Sequence, residues 1–126
     1  MSNIKKTQSK PAFKPEISFK AKDLASQEKC TILHCTNKSF NRIRIWPNTC
    51  LVQKDGSRKK MLHTFNITNY PQWLPVVEGH CFTLVFEGLD KDCHLFSLLE
   101  DIPEASGWYV SDISRNEQDL YHLELY

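Results

Sequence analysis

The chain alternates apolar and polar residues over most of its length, which is the pattern of half-buried β-strands. In the segment 80–88, Phe82, Leu84 and Phe86 fall on one face, and Thr83 and Val85 fall on the other. The same period of two predicts further strands in the segments 29–36, 41–47, 107–116 and 118–126, and a weaker edge strand at 17–24. Segment 95–107 fits either a short strand or a single helical turn.

Turn residues divide these strands. The segment 49–68 places two apolar runs around Asp55-Gly56, a strong hairpin signal. Pro47 ends the strand before it, and Pro71 and Pro75 exclude a regular helix from the connection 69–79.

The strands number seven or eight, and no long segment has the helical period of 3.6. Parallel sheets need long, usually helical crossovers, so we expect antiparallel pairing. The predicted fold is all-β, an antiparallel immunoglobulin-like β-sandwich over residues 17–126, with a small β-barrel as the alternative.

Charge is unevenly distributed. Residues 1–22 hold six lysines and one acid, a net charge of +5, whereas the remainder carries 10 basic and 14 acidic residues, a net charge of −4. Residues 1–16 also contain two prolines and no apolar period, so we expect a flexible, solvated basic arm there.

The five cysteines are irregularly spaced: Cys30, Cys35, Cys50, Cys81 and Cys93. An odd number without a framework is typical of reduced, mostly buried thiols. No apolar run has the length of a signal-peptide core near the start or of a membrane span anywhere. We therefore expect a cytoplasmic protein that does not associate with membranes.

Two adjacent pairs, His80-Cys81 and Cys93-His94, raise the question of a metal site. Zinc ligands are usually spaced so that both side chains of a pair reach one ion, but neighbours on a strand point to opposite faces. We expect no metal or cofactor. A Cys/His metal-binding protein, with one member of each pair joined by His34, His63 or His122, stays open as an alternative.

The acidic residues near these pairs match a calcium loop only partially, and we interpret them as solvated turn residues: Glu87, Asp90, Asp92, Glu100, Asp101 and Glu104. A Cys–His nucleophilic site, a Ser–His–Asp arrangement and a glycine-rich phosphate loop all lack a sequence motif. The chain is therefore predicted not to be an enzyme.

Basic residues beside an aromatic residue suggest a nucleic-acid alternative. Sheet-based proteins that bind single strands combine cationic side chains with aromatic ones. The candidate contacts are Arg42 and Arg44, beside Trp46, together with the hairpin residues Lys54, Arg58, Lys59 and Lys60. We favour the structural interpretation, in which these charges protect an edge strand and a hairpin tip from aggregation.

Three tryptophans form the candidate interaction surface: Trp46, Trp73 and Trp108. Trp73 lies between two prolines in a long connection, where a large aromatic side chain either covers the core or anchors a partner.

Three segments carry a family resemblance: TILHCTNKSFNRIRIWPNTCLV, FEGLDKDCHLFSLLEDIPEASGWYV and SRNEQDLYHLELY. They contain an Arg-Ile-Trp-Pro strand, a strand ending in Phe-Glu-Gly-Leu, an acidic segment ending in Ile-Pro and a last strand after Arg-Asn. This pattern resembles a group of small bacterial β-sandwich proteins of unknown function. The match covers about residues 30–125, with Ser97 standing where an acid is expected. The resemblance implies a sandwich fold and no catalytic residue.

The sequence thus predicts a non-enzymatic protein-interaction module that binds an unidentified protein partner or self-associates through an edge strand. Nucleic-acid binding and metal binding are the alternatives.

Overall fold

The computed structural model describes residues 29–126, which contain strands, turns and loops but no helix. The nine strands are β1 (Thr31–Asn37), β2 (Arg42–Ile43), β3 (Cys50–Gln53), β4 (Arg58–Phe65), β5 (Leu74–Pro75), β6 (Cys81–Phe86), β7 (Leu95–Leu99), β8 (Tyr109–Ser114) and β9 (Leu120–Leu125). The all-β prediction is confirmed for this part of the chain.

Seven of the strands form one sheet in the order β8-β7-β3-β4-β6-β1-β9, and β2 pairs with β5 in a small second sheet. The large sheet curls into a half-barrel. Phe96 of β7 and Tyr121 of β9 belong to strands far apart in this order, yet their rings meet edge to face with centroids 5.0 Å apart. The sheet therefore folds over its own concave face, and the predicted immunoglobulin-like sandwich is not confirmed.

The pairing of β1 with β9 is parallel, whereas β1 pairs with β6 antiparallel. The expectation of antiparallel pairing throughout is wrong for this strand pair, and an isolated parallel bridge also joins Ile45 to Asn69. A parallel pair needs a long connection. Here β1 and β9 are the first and last strands of the described chain, so the connection between them contains all the other strands.

The alternation along β6 places its side chains as predicted, and β1 follows the same period of two. Leu33, Cys35, Phe82, Leu84 and Phe86 are all buried and belong to the main core cluster. The opposite face of the same strands holds a smaller cluster of Cys30, Ile32 and Val85. Both faces of β1 are therefore buried along part of its length.

The predicted hairpin forms, with β3 and β4 joined across Asp55-Gly56. Gly56 has a φ of 91°, a left-handed conformation that favours glycine. The Asp55 carboxylate accepts the backbone N–H of Ser57 at 2.9 Å and closes the turn. Segment 95–107, which fitted a strand or a helical turn, begins with strand β7.

The segment 41–47 keeps its alternation but contributes only Arg42–Ile43 as a regular strand. Beyond it, the Ile45 N–H donates to the Thr68 carbonyl at 2.8 Å, and the Tyr70 N–H donates to the Ile45 carbonyl at 2.8 Å. These bonds tie the strand to the proline-containing connection 69–79 and bring the two segments side by side.

The predicted arm at 1–16 and edge strand at 17–24 lie outside the described residues. Within residues 29–126, no helix has the length and apolar character needed to cross a membrane.

Candidate functional site

Alternation along β2 and the residues after it directs Arg42 and Arg44 to the same side. Ile43 and Ile45, in between and beyond, are 2% and 0% exposed and anchor the segment in the core. Since side chains two residues apart on an extended chain share a face, the anchored isoleucines fix both arginines on the side away from the core.

The two arginines join three aromatic rings in a continuous series of contacts. The Arg42 guanidinium lies 4.3 Å from the centroid of the Trp73 ring, and the Arg44 guanidinium lies 3.9 Å from the same centroid. Arg44 also lies 4.7 Å from the centroid of Tyr70, which stacks on Trp46 at 3.7 Å. We call this series Arg42, Trp73, Arg44, Tyr70 and Trp46 the arginine–aromatic ladder.

Arg44 and Arg42 differ in their other contacts. Arg44 donates to the Pro71 carbonyl at 3.0 Å and lies 3.6 Å from the Glu104 carboxylate. Among residues 29–126, by contrast, no carboxylate lies within ion-pair distance of Arg42, whose side chain is exposed. Arg44 is held inside the ladder, and Arg42 forms its exposed end.

Trp108 lies near the ladder residues and packs on the core. It lies immediately before β8, with its ring stacked on Phe82 at 5.6 Å and tilted against Phe40 at 6.0 Å. Phe82 is fully enclosed in the main core. Trp108 therefore covers the core and remains half-buried at the surface.

Glu100 links two of the tryptophans. One carboxylate oxygen accepts the backbone N–H of Trp46 at 3.3 Å, and the other accepts the backbone N–H of Trp108 at 3.1 Å. The residue is 7% exposed, and burial raises the pKa of its carboxyl group above the ordinary value. The interpretation of Glu100 as a solvated turn residue is wrong.

A groove of about 200 Å³ lies among these side chains, which we call the tryptophan groove. All three predicted tryptophans line it, as do both ladder arginines. The remaining wall includes Phe40, Glu100, Ile102, Glu104 and Ser106. Small-molecule and cofactor pockets generally enclose about 300–1,000 Å³, so this groove is of a size for one or two side chains.

The hairpin candidates do not line the tryptophan groove. Arg58 pairs with Asp101 at 3.0 Å, and Lys59 pairs with Asp90 at 2.9 Å, so two of the four basic residues already have acidic partners. The remaining two are Lys54 and Lys60. The structure therefore separates Arg42 and Arg44 from the hairpin with which the nucleic-acid alternative combined them.

The Cys/His pairs do not form a site in the described residues. His80 ends a loop, with its Nε2 atom 2.9 Å from the Asn66 carbonyl, while Cys93 donates through its thiol to the Leu95 carbonyl at 3.3 Å. In residues 29–126, no group of three or more His, Cys, Asp or Glu side chains is arranged to hold a metal ion. The metal alternative therefore has no site in this part of the chain.

Two members of the site were missed by sequence reasoning. Glu100 continues the inward alternation of Phe96 and Leu98 by two further residues, and this parity would have placed it inside. Tyr70 carries no comparable signal, because its position depends on the bonds that draw the connection 69–79 against Ile45.

No protein-family model, curated protein or solved structure significantly matches this chain.

Proposed function

We propose that the chain is a cytoplasmic, non-enzymatic protein-interaction module and that the tryptophan groove is its ligand site. The observation that supports this most is the convergence of three tryptophans and two arginines on one small, open groove. Tryptophan, tyrosine and arginine dominate the binding energy of protein interfaces, where they cluster in pockets. Trp73 and Tyr70 are each 42% exposed, so part of this aromatic surface is available to a partner.

The charge of the groove favours a protein ligand over a nucleic acid. Glu100 and Glu104 line it together with Arg42 and Arg44, so acids and bases are balanced. Nucleic-acid surfaces gain affinity by neutralising many phosphates with unpaired cations. A groove that carries as many acidic as basic side chains is poorly suited to that task.

Selection from a phage-displayed library of random short peptides tests the proposal. We expect peptides that bind the wild-type protein and lose affinity about tenfold or more with Trp73→Ala, since truncating a hot-spot tryptophan has an effect of that size. Tyr109→Ala is the control, because Tyr109 is an exposed aromatic residue, 63% accessible, that does not line the groove. Failure to select peptides, or selected peptides that bind Trp73→Ala as tightly as wild type, would contradict the proposal.

A further inference from the structure

Arg42 forms the exposed end of the arginine–aromatic ladder, and its N–H donors have no hydrogen-bond partner among residues 29–126. Its side chain stacks on Trp73, but stacking uses the face of the guanidinium and none of its five N–H donors. Among residues 29–126, no hydrogen-bond acceptor and no carboxylate is paired with it, whereas Arg44 donates to Pro71 and contacts Glu104. The donors of Arg42 are therefore available to a ligand.

The stacking also fixes where those donors are. A free arginine side chain loses much rotational entropy when it binds a ligand. Arg42 is already held over a ring that is itself in contact with Arg44, so less freedom remains to be lost. A positioned guanidinium matches a carboxylate through two parallel hydrogen bonds, a geometry that lysine does not offer.

Apolar surface lies immediately beside this cation. The Trp73 ring, over which the Arg42 guanidinium lies, belongs to a residue that is 42% exposed. Trp73 lines the tryptophan groove together with Trp46, Trp108 and Ile102. A ligand that pairs with Arg42 therefore has an aromatic wall next to its charged group. The groove, at about 200 Å³, has room for an adjacent apolar side chain.

We propose that the groove binds a partner protein through an acidic–apolar peptide segment. In this interaction, an internal Asp or Glu side chain pairs with Arg42 and the neighbouring apolar side chain lies against Trp73 and Trp108. The inference rests on the proposed function and specifies the chemistry of its ligand. A polyanion is disfavoured because Glu100 and Glu104 line the same groove.

A double-mutant cycle on a peptide selected from the random library tests this pairing. We expect selected peptides to be enriched in Asp or Glu next to an apolar residue. Changing that acid to its amide in the peptide, or changing Arg42→Gln in the protein, should each weaken binding by about tenfold, as expected for a charge-assisted hydrogen bond. The two changes together should cost little more than either one, and Arg42→Lys should restore only part of the affinity.

Arg58→Gln is the matched control, since it removes an arginine charge from an exposed side chain that does not line the groove. It should leave affinity within about twofold. The peptide substitution tests the pairing without any protein variant, so a folding defect in Arg42→Gln would not obscure the result.

The outcomes separate the two proposals. Peptides that require Trp73 but show no acidic preference, or that bind Arg42→Gln as tightly as wild type, would overturn the acidic–apolar ligand and leave the interaction module standing. Absence of any groove-dependent peptide would overturn both. A single-stranded oligonucleotide that binds with a steep salt dependence and requires Arg42, where no peptide does, would assign the groove to nucleic acid instead.

Discussion

Glu100 and Asp101 are neighbours in the sequence and lie in opposite environments. Glu100 is buried and accepts two backbone N–H groups, whereas the Asp101 side chain is 56% exposed and pairs with Arg58. Side chains alternate across a strand, so a carboxyl group that continues the inward positions of β7 is taken inside. Burial of the Glu100 carboxyl group costs desolvation free energy, and its two hydrogen bonds offset part of that cost. The same two bonds join the chain segments that contain Trp46 and Trp108.

His34 is the residue whose protonation should most clearly affect stability. On the β1 face opposite the main core, its Nδ1 atom lies 2.9 Å from the Thr83 hydroxyl, and its ring centroid lies 5.3 Å from that of His122. Burial, followed by the charge of His122, lowers the pKa of His34 from 6.5 to about 4. Because the unfolded chain then binds a proton more readily, the free energy of unfolding falls as the pH drops from 6.5 towards 4.

We predict that His34→Asn removes this dependence while keeping a hydrogen-bonding side chain beside Thr83. Between neutral pH and about pH 5, wild type should lose roughly 2 kcal/mol more than the variant. Urea denaturation at both pH values measures it; contributions from groups distant from His34 cancel in the difference, and the variant also removes the coupling to His122. Equal pH dependence in His34→Asn and wild type would contradict the prediction.

At the scale of elements, Gly88 marks a close approach of two chain segments. A Cβ atom at this position would overlap the Lys29 carbonyl oxygen, which is backbone and cannot swing aside. Gly56, in the hairpin turn, has a φ of 91° but open space around its Cα. We predict that Gly88→Ala lowers the free energy of unfolding by about 2 kcal/mol or more, through overlap, and Gly56→Ala by about 1 kcal/mol, through backbone strain. Denaturant titration would show the reverse order if the segments can separate freely.

The arginine–aromatic ladder should stabilise the small sheet of β2 and β5. The Arg44 side chain is only 13% exposed, contacts Trp73 and Tyr70 and bonds to Pro71. Removing it with Arg44→Ala should cost about 1–2 kcal/mol of unfolding free energy, from lost stacking, packing and hydrogen bonding. Arg44→Lys keeps the charge but not the planar group, so it should recover less than about half of the loss.

Arg58→Ala provides the comparison for the ladder. The Arg58 side chain is 53% exposed and has an ion pair with Asp101 at 3.0 Å, an arrangement that contributes about 0–1 kcal/mol. A loss for Arg44→Ala no larger than for Arg58→Ala would show that the ladder does not stabilise the small sheet. Urea denaturation at one fixed pH gives all three values.

For the whole molecule, the sequence predicts which residues form strands far better than how the strands pair. Alternation places Leu33 and Cys35 on one face of their strand, but that face is the same whether the neighbouring strand runs parallel or antiparallel. In the structure, Leu33 pairs with Leu84 antiparallel on one side and with Tyr121 parallel on the other. Local patterns do not specify the direction of the neighbouring strand. The curled sheet and the parallel pairing of β1 with β9 could therefore not be predicted from them.

The candidate site shows the same division. The three tryptophans and Arg42 and Arg44 were identified by residue type and do line one groove, whereas the hairpin lysines grouped with them lie elsewhere. For residues close in sequence, such as Arg42 and Arg44, the alternation of side chains along a strand predicts that they share a face. Bringing Trp73 and Trp108 to them depends on chain paths set by long-range contacts, which the pattern does not encode.

The groove and the core should unfold together. Ile43 and Ile45 under the arginines belong to the same buried cluster as Phe82, on which Trp108 packs. Because residues 29–126 contain all three tryptophans, and the tryptophans line the groove, their fluorescence reports on the groove while far-UV circular dichroism reports on the sheet. We predict that the two signals give the same denaturation midpoint in urea, as expected for a cooperative domain of this size. An earlier fluorescence transition, unchanged in Trp108→Phe, would instead show that β2, β5 and their tryptophans open as a separate unit while the seven-stranded sheet remains folded.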